Sequence, residues 1–128
     1  MTFQHSIRVR YGECDMQEVV FNAHYLAYVD DALEHWFDAQ LSSEQRTGFD
    51  VMLKKATVEW VAPARYRDHV TMDVQAARWG TTSFDVVVDG HAGGRPSFTA
   101  TVVYVSVVPG TAAPVAIPAE IRAALDGA

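Results

Sequence analysis

The stretch from Tyr11 to Phe37 constrains the fold of this chain more than any other. From about Phe21, apolar residues recur at helical spacing while most acidic residues fall elsewhere, which predicts a long amphipathic helix with Asn22 as a suitable N-cap. The apolar positions are Phe21, Tyr25, Val29, Ala32, Leu33, Trp36 and Phe37. This stripe is the largest in the sequence, so the other elements must supply the surface that buries it.

The rest of the chain is predicted to be mostly β-strand. Apolar and polar residues alternate over residues 3–11, the pattern of a strand with one buried face. Four further strands are predicted over residues 53–61, 70–76, 84–89 and 98–108, and short helices over 43–46 and 119–125. The run of Thr, Val and Tyr at 98–108 is expected to form the most central strand. Pro63 is expected to kink or bulge a sheet edge, because proline cannot donate a hydrogen bond within a sheet.

The order of these elements predicts an α+β domain, in which one long helix lies across a face of an antiparallel sheet. At 128 residues the chain is expected to form a single domain over residues 1–128. One helix cannot cover both faces and both edges of such a sheet. We therefore expect the protein to be a homo-oligomer.

Composition and charge exclude several classes of function. A hydrophobic content of 49% and a charged content of 20% are typical of a globular protein. The net charge of −6 argues against a nucleic-acid partner, which needs a basic face. No apolar run reaches membrane-spanning length, and the first ten residues lack the apolar core of a signal peptide. We therefore expect no membrane partner and a cytoplasmic location.

The cysteine and histidine patterns narrow the chemistry further. Cys14 is the only cysteine, which excludes an intrachain disulfide, and it is better suited to packing than to attack on a substrate. The five histidines show no metal-ligand spacing, so no metal site is expected. The sequence also has no serine-hydrolase elbow, P-loop or dinucleotide-binding fingerprint.

Asp15 is the candidate catalytic residue. It lies six residues before the predicted helix start at Phe21. The first turn of a helix presents unpaired N–H groups and a partial positive charge, which can hold an oxyanion while a nearby carboxylate supplies the nucleophile or general base. On spacing alone, the alternative is that Asp15 only ends the strand and helps to form a turn.

A family resemblance rests on the same residues. The segment DMQEVVFNAHY, from Asp15 to Tyr25 and followed by Leu26, resembles the signature of hotdog-fold thioesterases of the 4-hydroxybenzoyl-CoA thioesterase type. That signature reads D-x-x-G-V/I-V-Y/F-x-x-x-Y and a hydrophobic residue. The flanking segments RVRYGECD, VEWVAPARYRDHV, ARWGTTSF and TATVVYVSVV agree in order and approximate spacing, so the resemblance covers almost the whole chain. Glu18 departs from it, because the family usually has Gly there.

The resemblance implies a hotdog fold, in which the sheet wraps the helix, and acyl-CoA thioesterase activity without a cofactor. Asp15 would attack the thioester carbonyl carbon to give a mixed anhydride, or activate a water that attacks instead. The backbone N–H groups of Phe21 and Asn22 would form the oxyanion hole. Members of the family form homodimers, and often homotetramers, with active sites at the dimer interface.

Four further residues are substrate-binding candidates. His24 could line the pocket or assist proton transfer to the leaving thiolate, and the alternative is a solvent-facing histidine. Tyr25 matches the tyrosine of the family signature, but it also lies on the apolar stripe, which favours packing. Thr82 and Ser83 occupy the segment with which relatives often contact the nucleotide end of coenzyme A.

Two other functions stay open from the sequence. Glu18 in place of Gly could disturb the turn beside Asp15, which would suit a non-catalytic hotdog protein that binds acyl-CoA. Another hotdog enzyme, such as a dehydratase, would use a histidine and an acidic partner for β-elimination. The Asp15 segment fits the dehydratase less well than the thioesterase.

Overall fold

The computed structural model describes residues 3–126, and these form strands and helices in the predicted order. The elements are β1 (Phe3–Arg8), α1 (Asn22–Gln40), α2 (Ser43–Thr47), β2 (Asp50–Trp60), β3 (His69–Trp79), β4 (Ser83–Ala92), β5 (Arg95–Val107) and α3 (Ala119–Asp126). A short 3₁₀ turn, Tyr11–Glu13, separates β1 from the segment that leads into α1. The predicted α+β class is confirmed. Within residues 3–126, no helix combines the length and the apolar character that a bilayer crossing requires.

The five strands form one antiparallel sheet in the order β1-β3-β4-β5-β2. The prediction that residues 98–108 form the most central strand is therefore wrong, because β4 holds that place and β5 lies between β4 and β2. The path of the chain explains the order. After β1 the chain crosses a face of the sheet as α1 and α2, and it re-enters the sheet as β2 at the opposite edge.

The core lies between α1 and one face of the sheet. Tyr25, Val29, Leu33 and Trp36 of α1 are fully buried. On the sheet side, alternate residues of β3, β4 and β5 are buried, and they include Val70, Met72, Val74, Phe84, Val86, Val88, Ala100 and Val102. Burial of each large apolar side chain contributes about 1.5–3 kcal/mol to folding. The apolar stripe predicted for the helix is thus what holds α1 against the sheet.

The start of α1 differs from the prediction by one residue. Phe21, not Asn22, is the N-cap, and its backbone is still extended, with φ −63° and ψ 138°. No side chain caps the helix there. Phe21 is half exposed, so it does not belong to the buried stripe.

The edge strand β2 is exposed on both faces. Met52, Leu53 and Trp60 each expose nearly half of their surface, and a register shift between Leu53 and Lys55 bends the pairing with β5. The strand ends at Trp60, before Pro63. The proline therefore lies in the connection to β3, and the expectation that it kinks or bulges a strand is wrong.

Candidate active site

A short hairpin connects β1 to α1 and carries Asp15. Cys14 bridges Val20 across this hairpin. The Asp15 N–H donates to the Val19 carbonyl at 2.9 Å, and the Glu18 N–H donates to the Asp15 carbonyl at 3.0 Å. The same few hydrogen bonds therefore fix both Asp15 and the direction in which the chain enters α1.

The Asp15 carboxylate is only partly committed to this turn. One of its oxygens accepts the Gln17 N–H at 2.8 Å, and no hydrogen bond joins the other oxygen to residues 3–126. Asp15 lies opposite Val19 in the hairpin, and Val19 is three residues before Asn22. The Cα atoms of Asp15 and Asn22 are therefore on the order of 10 Å apart. Asp15 and the first N–H groups of α1 therefore lie at the same junction between hairpin and helix.

The N–H groups at the start of α1 are not all free. The Phe21 N–H donates to the Glu13 carbonyl at 2.9 Å, and the His24 N–H donates to the Phe21 carbonyl at 2.9 Å. The expectation that Phe21 supplies an oxyanion donor is therefore wrong. In the described part of the chain, nothing accepts the N–H groups of Asn22 and Ala23. Asn22 stays a candidate donor, and Ala23 is a second one, one residue later along the helix than the predicted pair of Phe21 and Asn22.

Glu18 adopts the backbone conformation that glycine would adopt most easily. Its φ is +65°, in the left-handed region. Its side chain is exposed, so it does not fill the turn beside Asp15. The turn is thus formed despite the departure from the family pattern at this position.

Glu13 fixes the base of the hairpin through hydrogen bonds of its buried carboxylate. It is buried, and its carboxylate accepts the Arg10 backbone N–H at 2.8 Å, the Arg10 guanidinium at 2.8 Å and the Tyr28 hydroxyl at 2.9 Å. Burial acts to raise the pKa of Glu13, but these hydrogen bonds outweigh it and leave the pKa below its usual value. Burial and the adjacent Glu13 carboxylate in turn raise the pKa of Tyr28.

The Glu13–Tyr28 pair was not predicted from the sequence. The two residues are 15 positions apart, a separation that no helical or strand periodicity marks. Tyr28 lies one turn after Tyr25 on the buried face of α1, which was the only available indication.

His24 lies in the first turn of α1 and is partly exposed. It lines an open groove of about 850 Å³ together with Arg10, Glu13, Tyr28 and Asp31. The ring of Phe21 approaches the His24 ring edge-on, with 6.4 Å between the centroids. His24 can therefore reach a ligand from the side of the helix that faces β1.

Tyr25 is a packing residue. It is 1% exposed, and its hydroxyl accepts the Ala64 N–H at 2.9 Å. Its ring packs edge-on against Trp60 and Phe98. The expectation that Tyr25 binds substrate is wrong, because its polar atom is used inside the protein and its ring is covered.

Thr82 and Ser83 lie at the other end of the sheet from Asp15. The Ser83 hydroxyl is 3.1 Å from the Arg78 guanidinium, which donates to it, and the Thr82 carbonyl accepts the Ser106 N–H at 2.7 Å. The end of β1 that leads to the hairpin pairs with the start of β3, whereas Thr82 and Ser83 follow the end of β3. About 30 Å of strand therefore separates these two residues from the hairpin. One chain does not bring them together with Asp15.

Cys14 is half buried and packs against the core on the side of Val20. Burial, with the neighbouring carboxylates Glu13 and Asp15, raises the pKa of its thiol. A thiol with a raised pKa is a poor nucleophile. This environment agrees with the packing role expected for Cys14.

Comparison with known proteins identifies the family. The family described as the thioesterase-like superfamily matches residues 9–125. An Escherichia coli protein named acyl-CoA thioester hydrolase YbgC is 31% identical over 86 residues. That alignment covers 63% of this chain and 63% of the relative, so the chain spans less than two thirds of the relative's length.

Solved structures share the fold at lower sequence identity. A thioesterase superfamily protein from Jannaschia sp. superimposes with a TM-score of 0.89 at 20% identity, over 97% of this chain and 90% of the other. A 4-hydroxybenzoyl-CoA thioesterase gives a TM-score of 0.88 at 18% identity, over 98% and 99%. The latter is an aspartate-to-asparagine variant in complex with 4-hydroxybenzoyl-CoA. These likenesses confirm the predicted hotdog fold.

Proposed function

This chain belongs to the thioesterase-like superfamily, and from that membership we propose that it hydrolyses the thioester bond of an acyl-CoA to a free acid and coenzyme A. One observation carries the proposal: among residues 3–126, nothing hydrogen-bonds to one carboxylate oxygen of Asp15 or accepts the Asn22 and Ala23 N–H groups at the adjacent helix end. The name of the Escherichia coli relative and the ligand of the 4-hydroxybenzoyl-CoA thioesterase support the choice of substrate.

In the proposed reaction, the thioester carbonyl oxygen accepts hydrogen bonds from the N–H groups of Asn22 and Ala23. Negative charge grows on that oxygen as the carbonyl carbon is attacked, so these fixed donors and the positive end of α1 stabilise the transition state more than the substrate. The donors are main-chain atoms. Substitution of the Asn22 side chain is therefore expected to matter little.

Asp15 acts on the carbonyl carbon from the opposite side. Its free oxygen attacks directly, the C–S bond breaks, the thiolate of coenzyme A leaves, and water hydrolyses the mixed anhydride. In the other route Asp15 takes a proton from a water whose oxygen attacks. Label from ¹⁸O-water found in Asp15 after a single turnover would identify the anhydride route. His24, which lines the groove beside the helix start, is placed to contact the substrate.

We also propose that the active unit is a homodimer formed through β2. Among the described residues this 11-residue strand pairs only with β5 and exposes Met52, Leu53 and Trp60, and such an edge is a template for pairing with another strand. Thr82 and Ser83, which are far from Asp15 in one chain, would then contact coenzyme A only from the partner subunit. The unpaired Cys14 thiol suits a reducing compartment, which supports a cytoplasmic location.

The test is thiol release from a panel of acyl-CoA esters by the purified protein and by Asp15→Asn. We expect the wild type to release thiol and Asp15→Asn to lose most of that activity while its melting temperature stays unchanged. Asp89→Asn is the matched control, because it removes an exposed carboxylate from β4, and it should retain activity. Full activity in Asp15→Asn would overturn the proposed role.

Two other outcomes would replace the proposed function. Ligand binding by both proteins without thiol release by either would identify a non-catalytic acyl-CoA-binding protein. An unsaturated product from a hydroxyacyl-CoA, formed with loss of water, would identify a dehydratase.

A further inference from the structure

Three potential metal ligands meet away from Asp15, on the side of α1 that faces β1. His5 comes from β1, and Asp31 and His35 come from α1. The His5 Nε2 atom is 2.9 Å from Asp31 Oδ2, and the His35 Nδ1 atom is 3.5 Å from Asp31 Oδ1. One ligand atom from each residue lies within 4.8 Å of the other two.

These separations suit a shared metal ion. Zinc binds imidazole nitrogen and carboxylate oxygen at about 2.0–2.2 Å, so neighbouring ligand atoms around a tetrahedral ion lie roughly 3.3–3.5 Å apart. The two imidazoles lie 2.9 and 3.5 Å from the two different oxygens of the Asp31 carboxylate, close to that range. The imidazole rings of His5 and His35 stack at 4.1 Å with an interplanar angle of 22°, so one ring must turn out of the stack before both nitrogens can point at one ion. His35 can make that turn, because half of its side chain is exposed.

The chemistry of the three ligands selects the kind of ion. Two imidazoles and one carboxylate suit Zn²⁺, Ni²⁺ and other late divalent transition metals, whereas Mg²⁺ prefers oxygen ligands. The His35 Nδ1 atom also lies 2.8 Å from the Asp31 carbonyl oxygen, and metal binding exchanges that contact for the ion. Water completes the coordination on the exposed side.

We propose that His5, Asp31 and His35 form a binding site for a divalent transition-metal ion that ties the edge strand β1 to α1. Asp31 is nine residues along the helix from Asn22, or about 13 Å, so the ion does not reach the thioester. The ion acts on stability rather than on the reaction. Both elements that it joins lead directly into the Asp15 hairpin.

The experiment is thermal unfolding of untagged, chelator-treated full-length protein with Zn²⁺, Ni²⁺ or Mg²⁺ added. At a hundredfold excess over the Kd, Zn²⁺ or Ni²⁺ should raise the Tm on the order of 10 °C, and Mg²⁺ should not. Titration calorimetry should give one Zn²⁺ per chain. A Tm that does not rise with either transition metal would leave the three residues as a hydrogen-bonded cluster only and overturn the proposal.

Variants separate this site from adventitious binding. His35→Gln keeps a polar, half-exposed side chain and should abolish the Tm rise, and Asp31→Asn should weaken it strongly. His91→Gln removes a partly exposed histidine on β4 and should leave the rise intact. An undiminished rise in His35→Gln, or its loss in His91→Gln, would place the metal elsewhere and refute the site.

Discussion

Glu13 and Asp15 are two residues apart, yet the hairpin gives their carboxylates opposite environments. Glu13 lies on the buried side of the hairpin, where its oxygens accept hydrogen bonds from Arg10 and Tyr28. Asp15 lies on the open side, where one oxygen accepts a single N–H from Gln17. A carboxylate saturated with donors has little capacity left to attack a substrate. The burial and hydrogen bonding of each acid, rather than its position in the sequence, therefore assign Glu13 to stability and Asp15 to the proposed reaction.

The largest effect expected from this contrast is on activity. Asp15→Asn should lower kcat/KM by roughly a thousandfold or more, which corresponds to about 4 kcal/mol, and should change the free energy of unfolding by less than about 0.5 kcal/mol. Glu13→Gln should lower kcat/KM by less than about tenfold. The measurement is steady-state thiol release by both variants beside urea unfolding. Equal losses of activity would show that the two acids do not have separate roles.

The second effect is on stability, with the order of the two variants reversed. Glu13→Gln should lower the free energy of unfolding by about 1–2 kcal/mol, because an amide cannot accept from all three donors and one buried polar group loses its partner. Tyr28→Phe removes only the hydroxyl and should cost about 1 kcal/mol. Urea unfolding of both variants and of the double variant measures how strongly the two side chains are coupled. Additive losses would mean that the Glu13–Tyr28 hydrogen bond does not contribute.

The third effect is the pH dependence that Glu13 gives to the stability of the fold. The pKa of Glu13 in the folded protein is below its usual value of 4.5, so folding favours its ionised form. This stability is fully present above pH 4.5 and is lost as the pH falls through the lower, folded pKa. The difference in unfolding free energy between wild type and Glu13→Gln should be constant from pH 6 to 8 and shrink below about pH 4.5. A difference that grows on acidification would contradict this sign.

Most of the fold could be predicted because its elements are marked by local patterns. The buried stripe of α1 and the alternation of β4 each lie within one continuous segment, and both were predicted from it. The strand order was not, since the central place of β4 depends on how α1 carries the chain across the sheet. The role of Pro63 was misjudged for a related reason: the place where β2 ends is set by its pairing with β5.

The candidate site likewise has a part that could be predicted from sequence and a part that could not. Asp15 and Asn22 lie within eight residues of each other, and a short hairpin with a helix after it can be inferred from sequence. The contact of Glu13 with Tyr28, and that of His5 with Asp31, join residues 15 and 26 positions apart. Such contacts exist only once α1 lies beside β1. A sequence without a fold cannot show them.

The smallest effect concerns the turn itself and tests whether the open side of the hairpin carries strain. Glu18 has a φ of +65°, a region that costs a residue with a Cβ atom about 1 kcal/mol and costs glycine almost nothing. Glu18→Gly should relieve that cost but also give the unfolded chain more freedom, so we expect a net gain of about 0.5 kcal/mol in the free energy of unfolding.

Glu18→Ala is the control that isolates the backbone contribution. It removes the same carboxylate but keeps a Cβ atom, so it should be no more stable than the wild type. The difference in urea midpoint between the glycine and alanine variants, at an unchanged m-value, measures the relief of the left-handed conformation minus the cost of the greater freedom of glycine in the unfolded chain. Because the Glu18 side chain is exposed and does not fill the turn beside Asp15, thiol release should be unaltered in both variants. A glycine variant that is less stable than the alanine variant would mean that position 18 does not hold the turn in a left-handed conformation.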